Sequence, residues 1–230
     1  MTPAAQLEEQ PIPDAAAARP AKPAAAKPAA PAKPKQPTAP PPRQDEPDLP
    51  VMNFTARFVT SPEEAESLVP AWQRLVQTAI EPNAFYEPWS LLPAWRHLAG
   101  DDAVQLLVVE APKRVLPTGP KVLCGLFPIL RRRRFYGLPA SCWELWRHVH
   151  CFLTTPLVRR DCAREVVDCF FHAAATDSQG AAVVHAEMLP AEGPLHRTLV
   201  EANFEAGRTT FQRELSTRAS FAPRPTPRRF

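Results

Sequence analysis

No window of this 230-residue sequence approaches the roughly 18 consecutive apolar residues that a membrane-spanning helix requires. Its opening, MTPAAQLEEQ, has no positively charged start leading into an apolar stretch, so neither membrane insertion nor export is signalled and a cytoplasmic location is expected. The five cysteines, Cys124, Cys142, Cys151, Cys162 and Cys169, are odd in number and form no CxxC pair. They lie inside apolar patterns and read as reduced core residues of a reducing compartment. Glycine is scarce, at seven, and no nucleophile elbow, P-loop, dinucleotide-binding fingerprint or HExxH motif occurs. Serine, cysteine and zinc hydrolase chemistry thereby loses most of its support. Charge of one sign is also limited: the formal balance is +3 and the pI about 8.7, with basic clusters at the ends or on one hairpin, so nucleic acid is not an expected partner. No internal repeat is visible.

What is abundant is proline and alanine at the start. Met1 to Pro50 carries fourteen of each, with Lys22, Lys27, Lys33 and Lys35 spaced among them in AKPAAAKPAAPAKPKQP. Such a segment cannot offset its ordering entropy by burial, so residues 1–50 are expected to be a disordered, polyproline-like tail. It reads as a tether, or alternatively as a weak ligand for anionic surfaces or proline-binding modules. Residues 51–221 then make one domain, with enough chain for one core, and 222–230 a disordered end.

Within the domain, Phe54, Ala56 and Phe58 alternate with polar neighbours as a strand does over Asn53 to Thr60. Ser61-Pro62-Glu63-Glu64 is a capping box that starts a helix with the apolar face Leu68, Trp72, Leu75, Val76 and Ala79, and Pro70 must kink or split it. Glu87-Pro88 starts a second helix with Trp89, Leu92, Trp95 and Leu98 on one face, closed by Gly100. Val104 to Glu110 and Val122 to about Tyr136 read as a hairpin around a loop with Pro112, Pro117, Gly119 and Pro120. A further strand spans Cys142 to Val158, broken near Cys151. Asp161 caps a helix that buries Val166, Val167, Phe170 and Ala174. Gly180 to Met188 reads as a fully buried strand, Pro194 to Gly207 as a helix with Leu195, Leu199, Ala202 and Ala206 inward, and Thr209 to about Ser220 as a last strand. The fold class is therefore α/β (α+β), a mixed sheet with helices on both faces.

That order looks like the GNAT acyltransferase fold. The phrases Phe85-Tyr86-Glu87-Pro88-Trp89, LCGLFPILR from Leu123 to Arg131, His148-Val149-His150 with Pro156-Leu157, and Arg218-Ala219-Ser220-Phe221 resemble the first half of the FemAB-like acetyltransferases of bacterial cellulose and exopolysaccharide biosynthesis. The resemblance covers about Asn53 to Phe221. It implies N-acyltransferase activity, acetyl-CoA or another acyl-CoA as co-substrate, and a second GNAT-like half or polysaccharide-synthesis proteins as partners. In that family the phrase resembling Arg218 to Phe221 precedes a second half with the acyl-transfer machinery. Here it runs into APRPTPRRF, so a leading half, incomplete as a catalyst alone, is expected.

The residues offer limited chemistry for that role. A GNAT domain grips the pyrophosphate of acyl-CoA with backbone donors of a Gly-rich turn before a helix. The corresponding segment, Val158 to Arg164, holds no glycine and has Asp161 where the phosphate would sit. Arg159, Arg160 and Arg164 are either cofactor-binding side chains or solvated arginines beside a helix cap. For proton transfer, His185 and Glu187 lie on the Gly180 to Met188 strand, two apart and so facing the same side, and form the best catalytic acid/base pair, or else a core histidine and a strand-end charge. Glu144, His148 and His150 share strand parity, for substrate contact or structural hydrogen bonds; without a third histidine or a nearby cysteine ligand, no metal site is expected. In the run Arg131 to Arg134, Arg131 and Arg133 are substrate-binding candidates for an oxyanion such as phosphate or a sugar acid, the other reading being a solvated strand end. The five tryptophans read as core, with Trp146 set apart by sharing the polar parity.

Overall fold

The computed structural model describes residues 53–112, 121–178 and 180–217. The expected tail at 1–50, most of the hairpin loop, the Arg218 to Phe221 phrase and residues 222–230 lie outside the described residues.

Strand β1, Thr55–Val59, leads into helix α1, Pro62–Glu66, through the predicted cap. The Ser61 hydroxyl accepts the Glu64 N–H at 3.2 Å, and the Glu64 carboxylate accepts the Thr60 N–H at 3.1 Å, so two otherwise orphaned donors are satisfied. Pro70 splits the helix: it lies in the first turn of α2, Val69–Thr78, where its missing N–H costs nothing. Helix α3, Pro88–Leu98, starts as predicted and buries two of the four expected residues, Leu92 and Trp95. Leu91, Leu92, Ala94 and Trp95 are buried, whereas Trp89 is 68% exposed and Leu98 is exposed. Trp89 sits in the first turn with its indole N–H donated outward to Glu87 at 2.7 Å, which takes it off the buried stripe.

Strands β2, Gln105–Ala111, and β3, Val122–Arg132, form the predicted hairpin. β3 stops short of Tyr136, because Phe135 and Leu138 exchange backbone hydrogen bonds around Tyr136 and Gly137, both with positive φ, in a tight reverse turn. The long strand expected over Cys142 to Val158 is two short ones, β4, Cys142–Leu145, and β5, Leu157–Val158. Both pair with β3, at Ile129–Arg132 and at Gly125–Leu126. Pro128 lies between them. Its carbonyl accepts the Trp146 N–H at 2.9 Å, but it has no N–H to return, so the ladder lapses there and the chain leaves the sheet until Leu157.

Helix α4, Ala163–Thr176, buries Val166, Val167, Phe170 and Ala174 as predicted. Asp161 is not its cap: it lies in the preceding 3-10 turn, Arg160–Cys162, with its carboxylate held by Arg159 at 2.7 and 3.1 Å. Strand β6, Val183–His185, is half-buried rather than fully buried, since among the described residues it pairs only with β4. Helix α5, Pro194–Glu205, ends at Gly207 with φ +65°, as the sequence predicts, but Ala206 is exposed. Residues 209–217 form no strand: they are exposed and, among the described residues, pair with no element that could complete a ladder.

The sheet order is β1-β2-β3-β4-β6, antiparallel as far as β4, with β6 joined to β4 in parallel. Alternate residues of β2 point to opposite faces. Leu106 and Val108 pack with Trp72, Leu75, Leu91 and Trp95 of the first helices, while Leu107 and Val109 pack with Val166, Phe170 and Ala202 of α4 and α5. The protein is thus a mixed α+β fold with helices on both faces of a six-stranded sheet. Among the described residues, no helix is long and apolar enough to cross a membrane.

Candidate functional site

The parallel pairing of β4 and β6 makes the site. Leu130 on β3, Glu144 on β4 and His185 on β6 are successive Cα partners, so their side chains share one face. Leu130 belongs to the core under α1–α3, and the two polar residues continue that face toward the sheet edge, where β6 is only half-buried. The strand expected over Gly180 to Met188 ends at His185, so Glu187 lies just beyond β6 and not on it. One ligand atom each from Glu144, His185 and Glu187 lies within 4.8 Å of the others. His185 Nδ1 is 4.0 Å from Glu144 Oε1.

Each carboxylate is tethered by an arginine. Arg132 Nε donates to Glu144 Oε2 at 3.3 Å and reaches Asp102 at 3.0 Å, and Arg147 donates to Glu187 Oε2 at 3.3 Å. The Thr154 hydroxyl donates to the Glu187 carbonyl, anchoring the segment behind the carboxylate. The turn that shortens β3 supplies an aromatic wall: Phe135 and Tyr136 set their rings edge-on to His185 at 5.5 and 5.9 Å. The Tyr136 hydroxyl accepts from Arg213, whose guanidinium lies 4.3 Å from the ring centroid. A cavity of about 230 Å³ opens among Arg132, Arg134, Tyr136, Cys142, Glu144 and His185. An imidazole beside carboxylates at such an opening can accept a proton from, or hold, a polar ligand.

The other sequence candidates go elsewhere. His148 and His150 do not share a strand face with Glu144, because β4 ends at Leu145. His148 is buried against Trp146, with its Nδ1 accepting the His150 N–H at 3.3 Å and its Nε2 without a hydrogen-bond partner among the described residues. Burial, and then the neighbouring His150, hold the His148 imidazole below its ordinary pKa. Trp146 is itself core. Arg131 pairs with Asp177 at 3.1 Å and lies 4.1 Å above the Phe58 ring, on the α4 face. Arg133 is exposed. Arg159 is buried on Asp161, Arg160 donates to the Ala79 carbonyl at 3.2 Å, and Arg164 pairs with Asp168 and Glu205, each at 2.8 Å.

Sequence reading missed Arg132, Arg147 and Tyr136 at the site. Strand parity holds for Arg132, which pairs with Cys142 and shares the face of Glu144, but the odd members of the arginine run were the ones singled out. Tyr136 carried one usable signal, the glycine that follows it after an apolar strand.

This arrangement defines the class: an α+β domain whose polar cluster lies at the carboxyl end of its one parallel strand pair among the described residues. Compared with known proteins, the chain matches no family model and no curated protein.

Proposed function

We propose that residues 51–221 are a GNAT-like N-acyltransferase half-domain linked to bacterial cellulose or exopolysaccharide synthesis, supplying acceptor contacts and proton handling rather than a complete acyl-CoA site. The observation that carries this reading is the switch from antiparallel to parallel pairing at β4 and β6, bridged by α4. Open α/β sheets take ligands beyond the carboxyl ends of such strands, which is where Glu144, His185 and Glu187 converge. The phrases around Phe85 and Leu123 support the family.

The donor side supports incompleteness. Val158 to Arg164 offers no glycine cradle, and Arg159, Arg160 and Arg164 already bind groups of the protein, so a pyrophosphate would have to displace internal partners. A cytoplasmic setting belongs to the same reading and is supported by the five free thiols, four of them buried. Isothermal titration of the isolated chain with acetyl-CoA tests it. The expected result is no saturation in the micromolar range; micromolar binding would mean that the donor site is intact, and turnover that is lost in His185→Ala would make this chain a complete acetyltransferase.

A second reading rests on a separate observation. Val200 and Phe204 on α5, with Phe211 and Leu215 beyond it, are apolar and exposed, Phe204 at 84%. These suit a non-enzymatic interaction module tethered by its proline-rich start to a polysaccharide-synthase complex. It predicts that deleting residues 1–50 abolishes co-purification with partners at unchanged thermal stability.

A further inference from the structure

We infer that Glu144, His185 and Glu187 form a binding site for a divalent first-row transition ion, Zn²⁺ being the type case. The inference goes beyond the acyltransferase reading and does not depend on it.

The donor set suits such an ion. One imidazole nitrogen and two carboxylate oxygens satisfy a borderline cation better than magnesium or calcium, which prefer oxygen alone. Three atoms within 4.8 Å of one another share a point no more than about 2.8 Å from each, so closing to the usual 2.0–2.2 Å needs shifts of at most about 0.6–0.8 Å per ligand. Side-chain torsions at a half-buried strand edge absorb movements of that size.

The backbone already holds the ligands in place. The register of β4 with β6 sets Glu144 against His185, and the contacts of Thr154 with the segment after β6 fix the approach of Glu187. Arg132 and Arg147 each occupy one oxygen of a carboxylate. Arg132 on Oε2 of Glu144 leaves Oε1 facing the imidazole, and both arginines lower the repulsion between the two acids. This is the outer-shell arrangement that tunes metal ligands. Glu144 and His185 also line the cavity, where water or a polar ligand can complete the coordination shell. The imidazole lone pair that would hold the ion is the one that would accept a proton, so metal occupancy and proton acceptance at His185 exclude each other.

The test uses the full chain, stripped of metal with EDTA, kept reduced, and titrated calorimetrically with Zn²⁺ alone. One saturable site is expected, weakened at least about tenfold by His185→Gln and equally by Glu187→Gln. His150→Gln, which alters the neighbouring histidine pair, should leave the affinity unchanged. Glu187 has the most exposed side chain of the three, so Glu187→Gln carries the test if His185→Gln disturbs folding. Absence of saturable binding overturns the proposal, as does an affinity that survives Glu187→Gln or is lost in His150→Gln. Acetyl-CoA takes no part in this titration, so its outcome is separate from that of the acyltransferase reading.

Discussion

The Tyr86 hydroxyl donates to the carbonyl of Trp146 at 2.7 Å, tying the turn before α3 to the point where β4 leaves the sheet. Both residues are fully buried, and the Trp72 indole N–H donates to the Tyr86 carbonyl at 2.9 Å in the same layer. Tyr86→Phe therefore strands the Trp146 carbonyl away from water. The expected loss is about 1–3 kcal/mol of unfolding free energy, read from urea denaturation, with the shape of the fold preserved.

Asn83 performs a related service for the excursion between β4 and β5. Its amide nitrogen donates to the carbonyls of Leu153 and Thr155 at 3.1 and 2.8 Å, and its oxygen accepts the Phe85 N–H at 3.0 Å. Asn83→Ala should cost at least about 2 kcal/mol, because three backbone groups lose partners at once. It should also speed limited proteolysis between Trp146 and Pro156, which mass spectrometry of the first cut would locate.

Two glycines should fail for different reasons when changed to alanine. At Gly125 a Cβ would lie 2.5 Å from Val166 Cγ1 and 2.9 Å from a Phe127 ring carbon, so α4 would be driven off the sheet. A loss of about 1–3 kcal/mol is expected from overpacking. At Gly137 a Cβ would meet nothing within 4 Å, but φ is +84°. Gly137→Ala should cost about 1 kcal/mol through backbone strain alone and shift the turn that presents Tyr136 to His185. Thermal melts of the two variants separate the cases, and only Gly137→Ala should alter Zn²⁺ affinity.

The buried His148 gives stability an acid limb. Its folded-state pKa lies below the ordinary value of 6.5, so the unfolded chain binds the proton more readily. The contribution is therefore fully present above about pH 6.5 and is lost as pH falls through the lowered folded value. His148→Phe should flatten the difference between urea midpoints at about pH 7 and pH 5 relative to the unaltered protein. An unchanged difference would show that other groups carry the acid response.

How much of this was legible depended on the range of each determinant. The cap at Ser61, the split at Pro70, the stripe of α4 and the stop at Gly207 were all readable, because each acts within about one or two helical turns of itself. The buried face of α3 was only half readable, with Leu92 and Trp95 inward but Trp89 and Leu98 outward, because its span depends on packing against α1 and α2. The strand beyond Thr209 failed for the same reason: strand propensity produces a ladder only where another edge is present to receive it.

The candidate site divides along this line. His185 and Glu187 could be paired from sequence, being two residues apart, whereas Glu144 was grouped with His148 and His150 by a parity that ends when β4 ends. Glu144 joins His185 only through parallel register, and the N–H of Leu195 at the start of α5 is met by Glu81, 114 residues away, instead of by a local cap. The amino-acid sequence by itself determined the types of most elements, most helix ends and the presence of helices on both faces, since these follow from side-chain periodicity and local backbone chemistry. Which polar groups meet at the sheet edge was decided only by the tertiary structure, because register and crossover are properties of strand pairs and no single segment encodes its partner.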